Sequence, residues 1–408
     1  MPRVLIVGAS LGGLRAAEAL RDAGFHGAIS SVGAEAHPPY NRPPLSKDVL
    51  LGNATSDGVL AELAFPRKAR LGEIDWRLGM SVAAVDLAQG EARLADGSRI
   101  HFDALIVATG LRPRRLQLTG ATADRFVLRT LPDALALRAR LVPGARIAII
   151  GGGFIGCEVA ASARRRGCAT TVIEPLIVPM QRALGQEFGA AMQALHEAAG
   201  IRFRTGRQVT GFEVDVSDRL HAVRLDDDSL VEADLAVEAV GSQPNTEWLA
   251  GNGFDLDDGI LCDHRMAAIG HDRVAAVGDV ARFPCLLFDD VPRRVEHWSI
   301  PGLTARRAAG HVARQLGVAV PDAPFAPLPT FWSDQLGLRI QCAGLPGLAD
   351  RVGLLSGSLG PDSMRRDGAV MGYWRKDRQV GVAAIGVAPQ RFINFQADLV
   401  RALQNCSL

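Results

Sequence analysis

The sequence predicts an α/β fold, because one βαβ pattern opens the chain and then recurs from Arg146 onward, each time around a glycine-rich turn. In the first copy the apolar run Val4 to Val7 enters the turn Gly8 to Gly13. A helix from Leu14 to Ala23 follows, ended by Gly24, and then a strand from Ala28 to Val32. The second copy runs through the strand Ile147 to Ile150, the glycines between Gly151 and Gly156, a helix from Cys157 to Arg166 stopped by Gly167, and a strand from Thr170 to Ile173. At 408 residues, 48% of them apolar, the chain has material for two or three domains.

Each copy is followed by another buried strand with a glycine end. Asp103 to Val107 leads to Ala108-Thr109-Gly110, and Leu235 to Val240 leads to Gly241; Val274 to Val277 then ends in Gly278-Asp279. A helical stretch from about Leu303 to Leu316 runs into a proline-rich linker from Val318 through Ala323 to Pro329. Beyond it, strand-like runs at Arg339 to Ala343 and Gln379 to Ile385 and a closing helix predict a third domain of α+β type.

Composition narrows the function classes. Lys plus Arg (45) nearly cancel Asp plus Glu (44), so no overall field favours nucleic acid or an anionic membrane. The start offers neither a signal-peptide core nor an apolar span, and a cytoplasmic protein is expected. The cysteines (Cys157, Cys168, Cys262, Cys285, Cys342, Cys406) are scattered, with no paired spacing and no histidine cluster for a metal. Electron transfer through protein sulfur or a resident iron–sulfur cluster is therefore not expected.

Gly151-x-Gly153-x-x-Gly156 lies between a strand and a helix, and Glu174 follows at the distance of a ribose acid. Each position has a task. Gly151 allows the tight turn, Gly153 lets backbone approach a pyrophosphate, and Gly156 lets helix and strand pack closely; Phe154 and Ile155 fill the remaining places at the helix N-terminus, where N–H donors face the anion. Glu174 can accept from both ribose hydroxyls and repels a 2′-phosphate, and Pro175-Leu176-Ile177 supplies no neighbouring cation, so the nucleotide expected is NADH. The opening turn, Gly8-x-Ser10-x-x-Gly13 with Leu11 and Gly12, departs from this pattern at its second glycine, although Glu35 again follows the second strand. The same residues match a nucleophile elbow, Gly8-Ala9-Ser10-Leu11-Gly12. An elbow on the first strand would leave the second turn unexplained, so the dinucleotide reading is preferred.

Tyr40-Asn41-Arg42-Pro43-Pro44-Leu45-Ser46-Lys47, Ala108-Thr109-Gly110, Gly278-Asp279, Val295-Glu296-His297-Trp298 and Phe331-Trp332-Ser333-Asp334-Gln335 together resemble the FAD-dependent ferredoxin reductases of bacterial oxygenase systems, collinearly over essentially the whole chain. The resemblance implies two Rossmann-like dinucleotide-binding domains arranged as in glutathione reductase, plus the C-terminal domain. Their boundaries are expected at 1–110 with 245–322 for FAD, 111–244 for NADH, and 323–408. It further implies that Asp279 binds the ribityl chain, that Arg42 and Lys47 lie along the flavin, and that Thr109-Gly110 pass near the diphosphate. Val82, Ala108, Arg129, Gly278, Glu296, His297, Trp298 and Trp332 are further implied flavin contacts, with Arg182 and Gly241 on the NADH side. Glu158 would stand beside the nicotinamide and near Lys47.

Lys47, Glu158 and Trp298 are the residues expected to act in hydride transfer. A helix beginning near Trp298 would stabilise negative charge on the reduced flavin's N1–O2 edge by about 0.3–1 kcal/mol. Lys47 would orient the ring or partner Glu158, whose carboxylate is otherwise costly to bury. The alternatives are a solvated Lys47–Glu158 pair and plain core roles for Trp298 and Trp332. Two segments depart from the family, Ser299-Ile300-Pro301-Gly302 and Leu176-Ile177-Val178.

With no internal acceptor, electrons are expected to leave the flavin for a small acidic [2Fe–2S] ferredoxin that serves an oxygenase, as the resemblance implies. Arg293-Arg294, Arg306-Arg307, Arg365-Arg366 and Arg375-Lys376 are candidate docking cations on a monomer or weak dimer. A rubredoxin reductase, an NADH oxidase and a redox-sensing flavoprotein of the apoptosis-inducing-factor type are the rivals on the same fold. Oxidases and disulfide reductases of that fold need a reactive cysteine after the first unit, and Tyr40 to Lys47 contains none.

Overall fold

Apolar runs with β-branched residues become the central strands of two parallel sheets, and the computed structural model describes them within residues 1–66, 68–322 and 324–405. Cys406 and Ala323 of the linker lie outside the described residues. The chain divides into two compact units. One comprises Met1–Asn41, Leu60–Arg112 and Gln243–Thr330, the other Arg42–Val59, Pro113–Ser242 and Phe331–Leu408.

In the first unit the sheet order is Ala267–Ala268, His271–Ala276, Ala104–Val107, Arg3–Val7, Ala28–Gly33, Asp75–Leu78. All neighbours are parallel except the first pair. Leu5, Ile6, Leu105 and Ile106 are fully buried, as expected of strands covered on both faces. Val7 pairs with Val32 on one side and Val107 on the other, so chain order reverses around the strand that ends at Gly8. Such a reversal opens a crevice at the carboxyl ends of the strands. Antiparallel Val82–Asp86, Glu91–Leu94 and Arg99–His101 form a separate small sheet.

The second unit repeats the plan. Its parallel sheet runs Arg202–Thr205, Ala169–Glu174, Arg146–Ile150, Leu235–Glu238, Arg125–Phe126, and Ile150 sits between Ile173 and Glu238. The tail adds a five-stranded sheet in the order Thr330–Gln335, Leu338–Gly344, Arg378–Ile385, Ala369–Arg375, Arg351–Gly357, closed by the helix Pro389–Asn405. Among the described residues no helix is long and apolar enough to cross a membrane.

Sequence periodicity placed both turn-following helices too late. They span Leu11–Asp22 and Phe154–Arg165 rather than starting at Leu14 and Cys157. The reason is that Leu14 and Cys157 are the first residues whose N–H closes a helical bond, to Ser10 and Gly153 respectively. The residues before them are already helical but keep their N–H groups for another acceptor.

Asp124 ties the second unit together. Its fully buried carboxylate accepts from Arg140 (2.8 Å), Arg219 (2.8 and 2.9 Å) and the Leu220 N–H (3.0 Å). Burial raises its pKa, but these donors outweigh burial and hold it at about 2, below its ordinary 3.8. Stability from this group is complete above the unfolded value and is lost as pH falls through about 2. Asp124→Asn is therefore expected to cost about 2 kcal/mol near neutral pH. Urea-unfolding midpoints of the two proteins should differ at pH 7 and converge as acid protonates Asp124.

Candidate functional site

The two glycine turns have the same construction. Gly8 takes φ +116°, and a Cβ there would lie 2.1 Å from the Ala108 carbonyl; Gly151 takes φ +104°, and its Cβ would lie 2.3 Å from the Ala239 carbonyl. A Cβ on Gly13 would meet the Gly8 carbonyl at 1.9 Å, and one on Gly156 would meet the Gly151 carbonyl at 2.0 Å. These four positions therefore require glycine for close backbone packing. Gly153 differs, since a Cβ there would meet nothing within 4 Å, so the protein itself does not need glycine at that point. The space fits a pyrophosphate brought against the helix N-terminus.

Ser10 is the counterpart of Gly153, and both are extended residues capping a helix (φ −114° and −73°). The serine thus disturbs no backbone, and its hydroxyl makes no cap hydrogen bond within the helix. An unstrained φ also removes the nucleophile elbow, which holds its serine in a strained turn.

Within the first unit, Glu35 is held by the buried Tyr40 hydroxyl, which donates to Oε2 at 2.6 Å. Ala108-Thr109-Gly110 is fastened by Asn245, which donates its Nδ2 to the Thr109 carbonyl (3.0 Å) and accepts the Thr109 hydroxyl at its own carbonyl (2.8 Å). Gly278, at φ +73°, donates its N–H to the Thr304 hydroxyl at 2.9 Å and so presents Asp279 at the end of the strand His271–Ala276. Tyr40, Asn245 and Thr304 hold these segments in place, and of the three only Tyr40 stood in a motif that drew attention to it. Pro301 occupies the first turn of the helix Ile300–Gln315, where a missing N–H costs nothing, and lies 3.3 Å from the Cβ position of Gly278. The unfamiliar Ser299-Ile300-Pro301-Gly302 segment thus still builds a helix start at the place expected. Trp298 is 42% exposed, which removes its reading as a core aromatic. Glu296 pairs with Arg294 at 2.8 Å, and burial pushes His297 down to about 4. Val82 is half-buried at the start of its strand.

Within the second unit, Glu174 is buried at the end of Ala169–Glu174. Its carboxylate accepts the N–H of Gly152 (2.7 Å) and of Leu176 (2.9 Å), so it braces the glycine turn. Each oxygen keeps a second lone pair for a ribose hydroxyl. Phe154 packs edge-on against Phe331 (4.9 Å between centroids), whereas Ile155 is exposed beside it. Gly241 turns at φ +102°, and Arg182 stands exposed in the first turn of Gln181–Ala198. Arg42 donates to the Arg129 carbonyl at 2.7 Å, while Trp332 is half-buried in Thr330–Gln335.

Lys47 and Glu158 meet in this unit at 2.8 Å, with Glu158 buried and Lys47 mostly so. They are not a solvated pair. The Ser46 and Ser333 hydroxyls also donate to the Glu158 carboxylate, the latter at 2.5 Å. A carboxylate with three donors is compensated for burial.

Several of the candidate docking cations are already ion-paired. Arg293 pairs with Asp289, Arg294 with Asp258 and Glu296, Arg307 with Asp322 and Arg366 with Asp367, each within its own unit. Arg306 and Arg365, by contrast, are exposed. All five described cysteines are buried; burial pushes the Cys285 thiol up to about 12 and raises the others as well. Among the described residues no group of three or more His, Cys, Asp or Glu could hold a metal ion.

The model of the pyridine nucleotide-disulphide oxidoreductase family matches residues 2–302. The chain is 36% identical to the ferredoxin reductase component of chlorobenzene dioxygenase from Cupriavidus sp. (strain PS12), over 99% of both chains. It is also 36% identical to putidaredoxin reductase from Pseudomonas putida, over 87% of this chain and 83% of that one. The structure resembles the covalent putidaredoxin reductase–putidaredoxin complex, with TM-score 0.88 and 31% identity over 98% of this chain and 93% of that one. It likewise resembles the ferredoxin reductase for the CYP199A2 system of Rhodopseudomonas palustris, with TM-score 0.86 and 30% identity over 98% and 95%. With the two glycine turns built alike and the likeness running the length of the chain, the protein belongs to the pyridine nucleotide-disulphide oxidoreductase family, among its ferredoxin reductases.

Proposed function

We propose that this enzyme is the NADH-oxidising ferredoxin reductase of an oxygenase system, holding FAD on the unit with Gly8 and Gly13 and NADH on the unit with Gly151 and Gly156. The repeated glycine turn carries this reading. When bound, NADH supplies a hydride and FAD accepts it and releases the electrons singly. The chain's own residues bind, orient and exclude. Glycine backbones bring two helix N-termini against the pyrophosphates, Glu35 and Glu174 accept from the riboses, and Asp279 holds the ribityl chain. Lys47, kept in place by Glu158, and Arg42, which donates to the Arg129 carbonyl, are the cations that the family resemblance assigns to the flavin. The start of Ile300–Gln315, next to Trp298, favours negative charge by about 0.3–1 kcal/mol.

Buried cysteines with raised pKa values supply no ready thiolate, which favours an external acceptor over disulfide chemistry. That acceptor is a small acidic [2Fe–2S] ferredoxin, drawn to the enzyme by exposed cations such as Arg306. The enzyme works in the cytoplasm, as a monomer or weak dimer. NADH-driven cytochrome c reduction is the test. It should rise strongly when a cognate [2Fe–2S] ferredoxin is added and fall as salt is raised. A rate indifferent to every such ferredoxin, or higher with rubredoxin, would reject the assignment.

A further inference from the structure

His196, on the helix Gln181–Ala198, is fully buried, and neither its charge nor a fold motif explains why a histidine stands there. Its Nε2 lies 2.9 Å from Gln335 Oε1, and Gln335 Nε2 donates to the Ser333 hydroxyl at 2.9 Å. That hydroxyl donates to Glu158 Oε1 at 2.5 Å, while Lys47 holds Oε2 at 2.8 Å. The direction of the whole chain follows from the Lys47–Glu158 ion pair. A carboxylate only accepts, so the single Ser333 proton goes to it, Gln335 must present its amide N–H₂ to Ser333, and its carbonyl then requires a proton on His196 Nε2. His196 Nδ1 is correspondingly bare, buried without a partner. A neutral imidazole suits this role, and burial holds His196 down to about 4. Phe203 packs edge-on to the ring (6.0 Å) and limits its rotation.

We infer that His196 is a positioning residue which, through Gln335 and Ser333, fixes Glu158 Oε1 and so leaves Oε2 to Lys47 and the Ser46 hydroxyl. Leaving one nitrogen of a buried ring unpaired is unfavourable, and the directed chain to Glu158 is what the other nitrogen provides. The inference rests on the proposed roles of Lys47 and Glu158 beside the bound cofactors.

The test compares His196→Leu, His196→Gln and Ser333→Ala in the FAD-loaded enzyme. The readouts are the rate of Lys47 acylation by acetic anhydride, the KM and kcat for NADH, and thermal melting as a check on folding. His196→Leu and Ser333→Ala should raise Lys47 acylation about five-fold, as expected when a hydrogen bond worth a fraction of a decade to a decade is lost. Glutamine, whose amide N–H can replace Nε2, should restore the parental rate. A folded His196→Leu enzyme with unchanged Lys47 acylation, or equal loss with glutamine and leucine, would overturn the relay. If acylation changes as expected while kcat and KM do not, the relay stands and the role of Lys47 in the reaction fails.

Discussion

Gly13→Val is expected to give a colourless protein, and Gly156→Val a yellow one that NADH no longer bleaches. Each substitution drives a Cβ into a backbone carbonyl, at 1.9 Å for Gly13 and 2.0 Å for Gly156. Backbone cannot swing aside like a side chain, so the helix start must separate from the strand that carries its partner glycine. Overpacking of this severity costs about 3 kcal/mol or more, which is roughly a hundred-fold in dissociation constant when it falls on a binding turn. The two turns belong to different compact units, so the losses should be separable. Flavin absorbance of the purified proteins and anaerobic titration with NADH give the answer. Loss of flavin from Gly156→Val, or retention of both ligands in both variants, would refute the division of labour between the turns.

Glu174→Gln should raise the KM for NADH by about ten- to a hundred-fold, leave FAD content unchanged, and narrow the preference over NADPH. The substitution keeps size and shape but replaces one acceptor oxygen by an N–H₂ group. That group would face an N–H, of Gly152 or of Leu176, that now donates to the carboxylate at 2.7 or 2.9 Å. An unmatched buried donor costs about 1–3 kcal/mol, and the brace on the glycine turn is weakened as well. Removing the charge also removes its repulsion of a 2′-phosphate, so the loss should be smaller with NADPH. Glu174→Arg is a poorer probe, because a buried site with two inward N–H donors would collapse around the added cation. Steady-state kinetics with both nucleotides provide the check, and an unchanged ratio of the two kcat/KM values would count against a ribose role for Glu174.

Much of the fold was legible because buried parallel strands write themselves as short apolar runs. Arg3–Val7, Ala104–Val107, Arg146–Ile150 and Leu235–Glu238 each lie within a residue or two of where their runs placed them. Glycine turns were legible for a related reason, since Gly8 and Gly151 adopt conformations that few other residues tolerate. Helix starts were less so. The first turn of a helix at a binding site leaves its N–H groups unused, and no apolar periodicity marks it. Residues that hold site residues in place, such as Asn245 and Thr304, were invisible because they contact backbone and need no partner of matching type.

The sequence by itself determined the repeated βαβ plan, the two glycine turns, the acids that follow them and the absence of paired cysteine spacing. All of these are local, and spacing along the chain expresses them. Only the tertiary structure decided that 42–59 joins the unit of the second turn, that Lys47 and Glu158 are a buried pair, and that several surface-looking arginines are already ion-paired. The hydrogen bonds around Glu158 join residues 112, 175 and, through Gln335, 139 positions apart, and no sequence pattern spans such distances. A buried charge must collect its donors from wherever the fold brings them, because the cost of leaving it uncompensated exceeds any local preference.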